Sequence, residues 1–141
     1  MLPIENQAFT SPEEGLPIRV LIVDDEPRVR QEIRSIVNSN DYLEVIGEAG
    51  DGETAIELAR KLQPEVVLMD VTLPTMSGIE TTRHMKSEFP HLAIVGLSVH
   101  ESQLIVEGMA AAGAAAYLAK ETATENLFKA IGAALLARHS L

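Results

Sequence analysis

Three carboxylates follow two apolar runs of the chain and are the residues best placed to do chemistry. Asp24 and Asp25 come directly after Ile18–Val23, and Asp70 closes the run Glu65–Asp70. If both runs are parallel strands of one sheet, the three acids meet at its carboxyl edge, where open α/β sheets bind ligands. Clustered carboxylates repel one another and raise at least one pKa unless a cation neutralises them. We expect that cation to be a hard divalent ion with oxygen ligands, in the first place Mg²⁺.

Apolar strand-like runs alternate with helical patterns from Ile18 onward. The runs Val66–Met69 and Ala93–Leu97 are continuous rather than alternating, which is typical of strands buried on both faces of a parallel sheet. Between the runs, apolar residues recur at helical spacing, and Pro27 suits the first position of a helix. The predicted strands are Ile18–Val23, Leu43–Glu48, Glu65–Asp70, Leu92–Leu97 and Ala114–Leu118, and the predicted helices begin at Pro27 and cover Thr54–Leu62, Ser77–Phe89, Ser102–Ala112 and Thr124–Arg138. Five β-α units in succession predict a three-layer, doubly wound α/β fold.

The bulk composition fits one domain and excludes several classes of protein. The 141 residues, 46% hydrophobic and 23% charged, are in the usual range for a single core. A net charge of −10 gives the chain no electrostatic footprint for nucleic acid or an anionic membrane. The absence of cysteine rules out disulfides and thiolate metal sites. With no apolar stretch of membrane-spanning length and no signal-peptide pattern, a cytoplasmic location is expected.

Residues 1–17 differ from the rest of the chain. They hold three of the seven prolines and show no clear periodicity. The sequence therefore predicts a flexible leader or linker over residues 1–17 and one folded domain over residues 18–141. A tail without function and the end of a connection to an upstream domain are both compatible with this composition.

Four short motifs stand at the ends of predicted strands. In chain order they are Val23–Glu26, Met69–Gly78, Gly96–His100 and Gly113–Lys120. Each motif is weak alone, but the set in this order resembles the receiver domain of bacterial two-component response regulators. The resemblance covers about Ile18 to Arg138 and implies a flavodoxin-like fold, a five-stranded parallel sheet with strand order 2-1-3-4-5.

The resemblance implies a role for each acid. Asp70 would be the phosphoacceptor, a carboxylate that attacks phosphorus in line and forms an acyl phosphate. Asp24 and Asp25 would hold Mg²⁺ together with Asp70 and the backbone carbonyl of Thr72. The plainer alternative is capping: Asp70 as a helix N-cap or turn residue, and the acid pair as caps of the helix that begins at Pro27. Capping explains one acid of a pair and leaves the second unexplained.

Three further residues acquire roles from the same resemblance. Lys120 would pair with Asp70 and later with the phosphoryl oxygens. Ser98 would donate its hydroxyl to a phosphoryl oxygen, and Tyr117 would rotate inward as Ser98 moves. The alternatives are a solvated lysine in a turn, a polar residue that closes a strand, and a half-buried tyrosine with a wet hydroxyl.

Some residues depart from the commonest receiver pattern. Ser77 stands where an acid or amide is frequent, and it can still cap the third helix. Val99 stands where a smaller side chain is common, which predicts a narrower entry for water and a longer-lived phosphoryl group. Glu121 follows Lys120 where many receivers have proline, so we expect a trans peptide bond there. The histidines His84, His91, His100 and His139 lack the ligand spacing of a zinc site.

The resemblance implies a signalling domain that catalyses only its own phosphorylation and dephosphorylation. The expected partners are a histidine kinase or histidine phosphotransfer protein as donor, and a downstream effector domain or protein, with a dimer compatible with the helices around the fifth strand. A stand-alone receiver and a receiver cut from a longer regulator or a hybrid sensor kinase remain open, and the leader favours an upstream neighbour, as in the terminal receiver of a hybrid kinase. So do two other classes: an unphosphorylated pseudo-receiver that acts as a binding module, and a haloacid-dehalogenase-type phosphatase, which needs an Asp-x-Asp loop after its first strand.

Overall fold

The computed structural model describes residues 15–99 and 102–138, so most of the predicted leader, His100 and residues 139–141 lie outside the described residues. Its strands are β1 (Ile18–Val23), β2 (Leu43–Ala49), β3 (Val66–Asp70), β4 (Ala93–Ser98) and β5 (Ala116–Ala119). Its helices are α1 (Pro27–Asn38), α2 (Gly52–Leu62), α3 (Gly78–Glu88), α4 (Gln103–Ala112) and α5 (Ala123–Ala137), with a 3₁₀ turn at Lys120–Thr122. In the described ranges, no helix combines the length and the apolar character that a bilayer crossing requires.

The strands form one parallel sheet in the order β2-β1-β3-β4-β5, which confirms the predicted topology. The chain adds β2 on one side of β1 and the later strands on the other side, so the direction of strand addition reverses between the neighbours β1 and β3. Val23 at the end of β1 pairs with Met69, and Asp70 pairs with Leu97 on β4. The residues that follow β1 and the last residue of β3 therefore share one edge, at the switch point where doubly wound sheets bind their ligands.

Apolar side chains cover both faces of the sheet. Every residue of β3 and β4 is buried. On one face α1 and α5 pack through residues such as Ile33 and Leu127, and on the other α2, α3 and α4 pack through residues such as Ile56, Met85 and Met109. The continuous apolar runs are thus strands buried on both sides, as predicted.

The predicted bounds differ from the observed ones by at most two residues, and the start of the fifth strand shows why. The strand was expected at Ala114–Leu118 but occupies Ala116–Ala119. Gly113 ends α4 with φ of +115°, a left-handed conformation that favours glycine, and the N–H of Ala114 donates back to the carbonyl of Met109. Ala114 therefore closes the helix, whereas the N–H of Ala115 already donates to the carbonyl of Ile94 on β4 (2.9 Å), and the strand begins at the next residue.

Candidate functional site

Asp24, Asp25 and Asp70 form one acidic cluster at the carboxyl edge of the sheet. Each offers a carboxylate oxygen, and these oxygens lie within 4.8 Å of one another. Asp24 and Asp70 are buried, whereas Asp25 is exposed. The prediction that the three acids meet is confirmed, because β1 and β3 are parallel neighbours that end at the same level.

Asp24 is held by its backbone and by its side chain. Its N–H donates to the carbonyl of Ala49 (3.0 Å), and its carbonyl accepts from Arg30 Nη1 (2.6 Å). Its Oδ1 accepts from the N–H of Glu26 (2.9 Å). The N-cap of α1 is Glu26 rather than either aspartate, so the two acids do not cap this helix as a pair; Asp24 alone bonds to its N-terminus, through the Glu26 N–H. The turn instead presents the acids at the sheet edge.

Asp70 lies under the loop that joins β3 to α3. Its Oδ1 accepts from the N–H of Thr72 (3.0 Å), and the N–H of Gly78 donates to the carbonyl of Val71 (2.8 Å), which folds the loop back on the strand end. A Cβ at Gly78 would stand 2.0 Å from the carbonyl oxygen of Asp70, so this approach requires glycine. The N-cap of α3 is Ser77, as predicted, and Asp70 is not a cap.

Lys120 places its ammonium between two of the acids. Its Nζ lies 2.6 Å from Asp24 Oδ2 and 3.3 Å from Asp70 Oδ1, and its side chain is mostly buried. The solvated-lysine alternative is therefore wrong. Lys120 opens the 3₁₀ turn that directly follows β5. The peptide bond to Glu121 is trans, as predicted, since no cis bond occurs among the described residues.

The site carries more negative than positive charge. Burial and the negative charge of Asp24 raise the pKa of Asp70 to about 6, against the opposing effects of Lys120 and the Thr72 N–H. Burial lowers the pKa of Lys120, but its contacts with Asp24 and Asp70 outweigh burial and leave it raised. The expected rise of a carboxyl pKa within the cluster is thus present.

The donor set fits a hard divalent cation. Three carboxylates converge within 4.8 Å, which matches the oxygen ligands that Mg²⁺ prefers. Asp24 Oδ2 is shielded from solvent and has no aligned hydrogen-bond donor among the described residues, although Lys120 Nζ stands at ion-pair distance. A buried carboxylate oxygen that lacks an aligned hydrogen-bond donor is stabilised by a bound cation.

Ser98 and Tyr117 lie on the strands next to Asp70. Leu97 pairs with Asp70, so the buried Ser98, which ends β4, stands one residue beyond that pair. Tyr117 is half-buried, pairs with Gly96, and its ring carbon Cδ2 would lie 3.2 Å from a Cβ at that glycine. The structure thus brings Ser98 to the edge that holds the acids and Tyr117 to the neighbouring strand. Their switch roles remain predictions.

Arg30 is a contact of the site that the sequence analysis missed. Its guanidinium donates to the carbonyl of Asp24 and pairs with Glu48 on β2 (Nε to Oε1, 3.0 Å). The one signal in the sequence is an arginine in the first turn of the helix that follows the acid pair. Arg28 and Arg34 lie on the same helix, and the sequence alone does not separate the three.

Comparison with known proteins decides the family. The response regulator receiver domain family matches residues 20–132. The chain belongs to this family. The uncharacterized transcriptional regulatory protein YxjL of Bacillus subtilis (strain 168) is 43% identical to this receiver domain over 117 residues, covering 83% of this chain and 54% of YxjL. Response regulator GacA of Pseudomonas aeruginosa is 39% identical over 114 residues, covering 81% and 53%.

A solved structure agrees with the sequence relatives. The crystal structure of a LuxR-family two-component response regulator from Aurantimonas sp. SI85-9A1 matches this receiver domain with a TM-score of 0.82 at 34% identity, covering 86% of this chain and 87% of that chain. The receiver domain spans about half the length of the curated relatives it matches. It is a signalling domain of the two-component class, and these similarities favour neither a phosphatase nor a pseudo-receiver.

Proposed function

We propose that this receiver domain accepts a phosphoryl group on Asp70 from a phosphohistidine and changes conformation in response. One observation carries the proposal: a buried strand-end carboxylate with a lysine ammonium 3.3 Å away and two further carboxylates beside it. This arrangement provides a nucleophile, a counter-charge for phosphoryl oxygens and a place for a divalent ion.

The transfer itself needs an ionised carboxylate. With a pKa of about 6, Asp70 is ionised near neutral pH. Its carboxylate oxygen attacks phosphorus in line, the new O–P bond forms as the P–N bond of phosphohistidine breaks, and the imidazole nitrogen keeps the bonding electron pair. Lys120 supplies positive charge beside the attacking carboxylate, where negative charge collects on the transferring oxygens.

The acids and one carbonyl would together hold Mg²⁺: Asp24, Asp25, Asp70 and the backbone carbonyl of Thr72. When bound, the ion screens carboxylate from phosphate and stabilises charge on the transferring oxygens. Asp24 is buried and held on three of its atoms, so it serves as the fixed ligand. Asp25 is exposed, so its carboxylate would meet an ion that arrives from solvent.

The switch would follow from the new charge on Asp70. A phosphoryl group brings a charge of about −2 and three acceptor oxygens. Ser98, buried at the adjoining strand end, donates its hydroxyl to one of them, and Lys120 shifts from the carboxylates to another. Tyr117 packs over Gly96 on the same strand as Ser98 and turns inward as Ser98 moves. Phosphorylation thereby shifts an equilibrium between two existing conformations.

A cavity beside the site suits the phosphohistidine donor. It has a volume of about 390 Å³ and lies between α1 and the start of α5, with Val29, Ile33 and Ile36 on one side and Lys120 on the other. Because Lys120 lines both the cavity and the acidic cluster, a helix that docks there brings its phosphohistidine towards Asp70. We propose a histidine kinase or histidine phosphotransfer protein as this donor.

The output would pass to an effector domain or a separate effector protein in the cytoplasm. The matched relatives are named transcriptional regulatory proteins and are about twice as long as the part they share with this chain. A receiver cut from a longer regulator is therefore the better-supported arrangement, and dimerisation through the helices around β5 remains part of the proposal.

Incubation with acetyl phosphate, with and without Mg²⁺, followed by intact mass measurement tests the proposal. We expect a Mg²⁺-dependent gain of one phosphoryl group that is absent in Asp70→Asn. The matched control is Asp51→Asn, because Asp51 caps α2 outside the cluster and asparagine also caps helices. No gain by well-folded protein would point to a pseudo-receiver. Turnover of a phosphate monoester that is lost in Asp24→Asn but kept in Asp70→Asn would indicate a phosphatase.

A further inference from the structure

Arg30 contacts the backbone of the acid pair from the first turn of α1. Its Nη1 donates to the carbonyl of Asp24 (2.6 Å) and its Nε donates to Glu48 Oε1 (3.0 Å). The side chain is 20% exposed, so both contacts are largely shielded from water. Two hydrogen bonds from different nitrogens of one planar group leave the guanidinium little freedom to turn.

The carbonyl that Arg30 holds belongs to the peptide group between Asp24 and Asp25. Because a peptide group is planar, the direction of this carbonyl also sets the direction of the Asp25 N–H. It therefore also fixes the position of the Asp25 Cα, the atom that carries the side chain. Asp24 has other restraints, but the exposed carboxylate of Asp25 has no hydrogen bond or ion pair within the part of the chain that the structure describes.

Glu48 keeps Arg30 in this position. It lies on β2 and pairs in register with Ile22, two residues before Asp24. Its second oxygen, Oε2, accepts from Arg34 Nε (2.6 Å). Arg30 and Arg34 therefore share the same carboxylate, and of the two it is Arg30 whose guanidinium also reaches Asp24.

We propose that Arg30 is a positioning residue for the divalent-ion site. Through the Asp24 carbonyl it holds the Asp25 carboxylate within reach of the ion that the other acids bind. This inference rests on the proposed Mg²⁺ site. If Arg30 positions Asp25, its removal weakens cation binding. Simple electrostatics predicts the opposite, because removing a positive charge beside three acids would by itself strengthen cation binding.

Calorimetric titration of Mg²⁺ into the full chain near neutral pH separates the two effects. We expect Arg30→Met to weaken Mg²⁺ binding about tenfold, as loss of a contact that orients a metal ligand typically does. The matched control is Arg34→Met, which removes the same charge and a contact to the same Glu48; we expect its affinity to stay within about twofold of wild type or to rise slightly.

A conservative variant keeps the test decisive if Arg30→Met folds poorly. Arg30→Lys retains the charge but has one ammonium for two acceptors, so weaker Mg²⁺ binding there comes from geometry alone. The amide resonance of Asp25 should shift in both Arg30 variants and stay in place in Arg34→Met. Unchanged or tighter binding in folded Arg30→Met and Arg30→Lys would overturn the role of Arg30. Absence of Mg²⁺ binding by the wild-type chain would overturn the proposed metal site itself.

Discussion

The ammonium of Lys120 is closer to Asp24 than to Asp70: Nζ lies 2.6 Å from Asp24 Oδ2 and 3.3 Å from Asp70 Oδ1. The oxygen it approaches is buried and is the one with no aligned hydrogen-bond donor among the described residues. If the proposed divalent ion took this oxygen, it would compete with Lys120 for Asp24. The ammonium would then be free to pair with Asp70 and its phosphoryl group.

Lys120→Met should make Mg²⁺ bind more tightly. Removal of a positive charge a few ångströms from the ligands leaves the carboxylates without a competing cation, and we expect about a three- to tenfold lower Kd. Calorimetry measures this, with Lys129→Met as control because Lys129 is exposed on α5 and makes the same change in net charge. Equal or weaker binding in Lys120→Met would show that the lysine does not compete with the ion.

Asp70→Asn should stabilise the metal-free domain near neutral pH. The pKa of Asp70 is raised from 3.8 to about 6, so between these values the folded state holds a proton that the unfolded state has released. Stability from this group therefore falls as pH rises through the window, and the full penalty is present above pH 6. Asparagine removes this penalty, but it also leaves Lys120 with one ion-pair partner fewer, which offsets part of the effect. We therefore expect the free energy of unfolding to rise by about 1–3 kcal/mol.

Urea unfolding followed by circular dichroism measures this gain. The difference between Asp70→Asn and wild type should shrink as pH is lowered towards about 4, where wild-type Asp70 is protonated. Mg²⁺ should also narrow the difference near neutral pH, because it stabilises the wild-type carboxylate. Asp25→Asn is the control, since its side chain is exposed and should give a smaller gain. A gain that does not depend on pH would contradict the raised pKa.

Gly78→Ala should damage the loop that covers Asp70. The added Cβ would stand 2.0 Å from the carbonyl oxygen of Asp70 and 2.7 Å from the Cα of Val71, and backbone atoms cannot move aside cheaply. We expect a loss of about 2–3 kcal/mol of unfolding free energy and slower phosphorylation by acetyl phosphate. In Gly108→Ala the Cβ meets only the flexible end of Ile79, at 2.9 Å, so that variant should stay within about 1 kcal/mol of wild type.

Thr75→Gly should stabilise the domain. Thr75 lies in the β3–α3 loop with φ of +65°, a conformation that is strained for a β-branched residue. Glycine relieves this strain, but it also raises the conformational entropy of the unfolded chain, which offsets part of the effect. We expect the free energy of unfolding, measured with urea, to rise by about 0.5–1 kcal/mol. Thr75→Ala should give less, because alanine keeps a Cβ. Gln63→Gly is a comparison at φ of +50° after α2, where the unbranched side chain predicts a smaller gain. Equal stabilities for Thr75→Gly and wild type would show that Thr75 is not strained.

Val99→Ala should shorten the life of the phosphorylated form. Val99 directly follows Ser98 at the end of β4 and is 62% exposed, so its side chain faces solvent next to the strand end that holds Ser98. A smaller side chain opens a path for water, and we expect hydrolysis to be several-fold faster when the loss of phosphoryl mass is followed with time. Leu104→Ala, at a position 80% exposed on α4, is the matched control and should leave the rate unchanged. A fast wild-type rate that Val99→Ala does not alter would remove the hypothesis.

The sequence predicted the fold and the meeting of the acids because both depend on local signals. Continuous apolar runs ended at Asp24 and Asp70, and parallel strands bring their carboxyl ends to one edge whatever the details of packing. The start of β5 was less well predicted. Its alanines carry neither strand nor helix periodicity, so the left-handed Gly113 and the pairing of β5 with β4 decide it.

The sequence by itself determined the fold class and the strand ends to within one residue, and its resemblance to receiver domains indicated which acids, lysine and serine lie beside them. The tertiary structure alone decided that Lys120 approaches Asp24 more closely than Asp70, and that Arg30 rather than Arg34 reaches the Asp24 carbonyl. The physical reason is distance: periodicity assigns a residue to an edge or a helix face. Contacts of 2.6 Å depend on strand register and on how α1 crosses β2, which the packing of both core layers sets together.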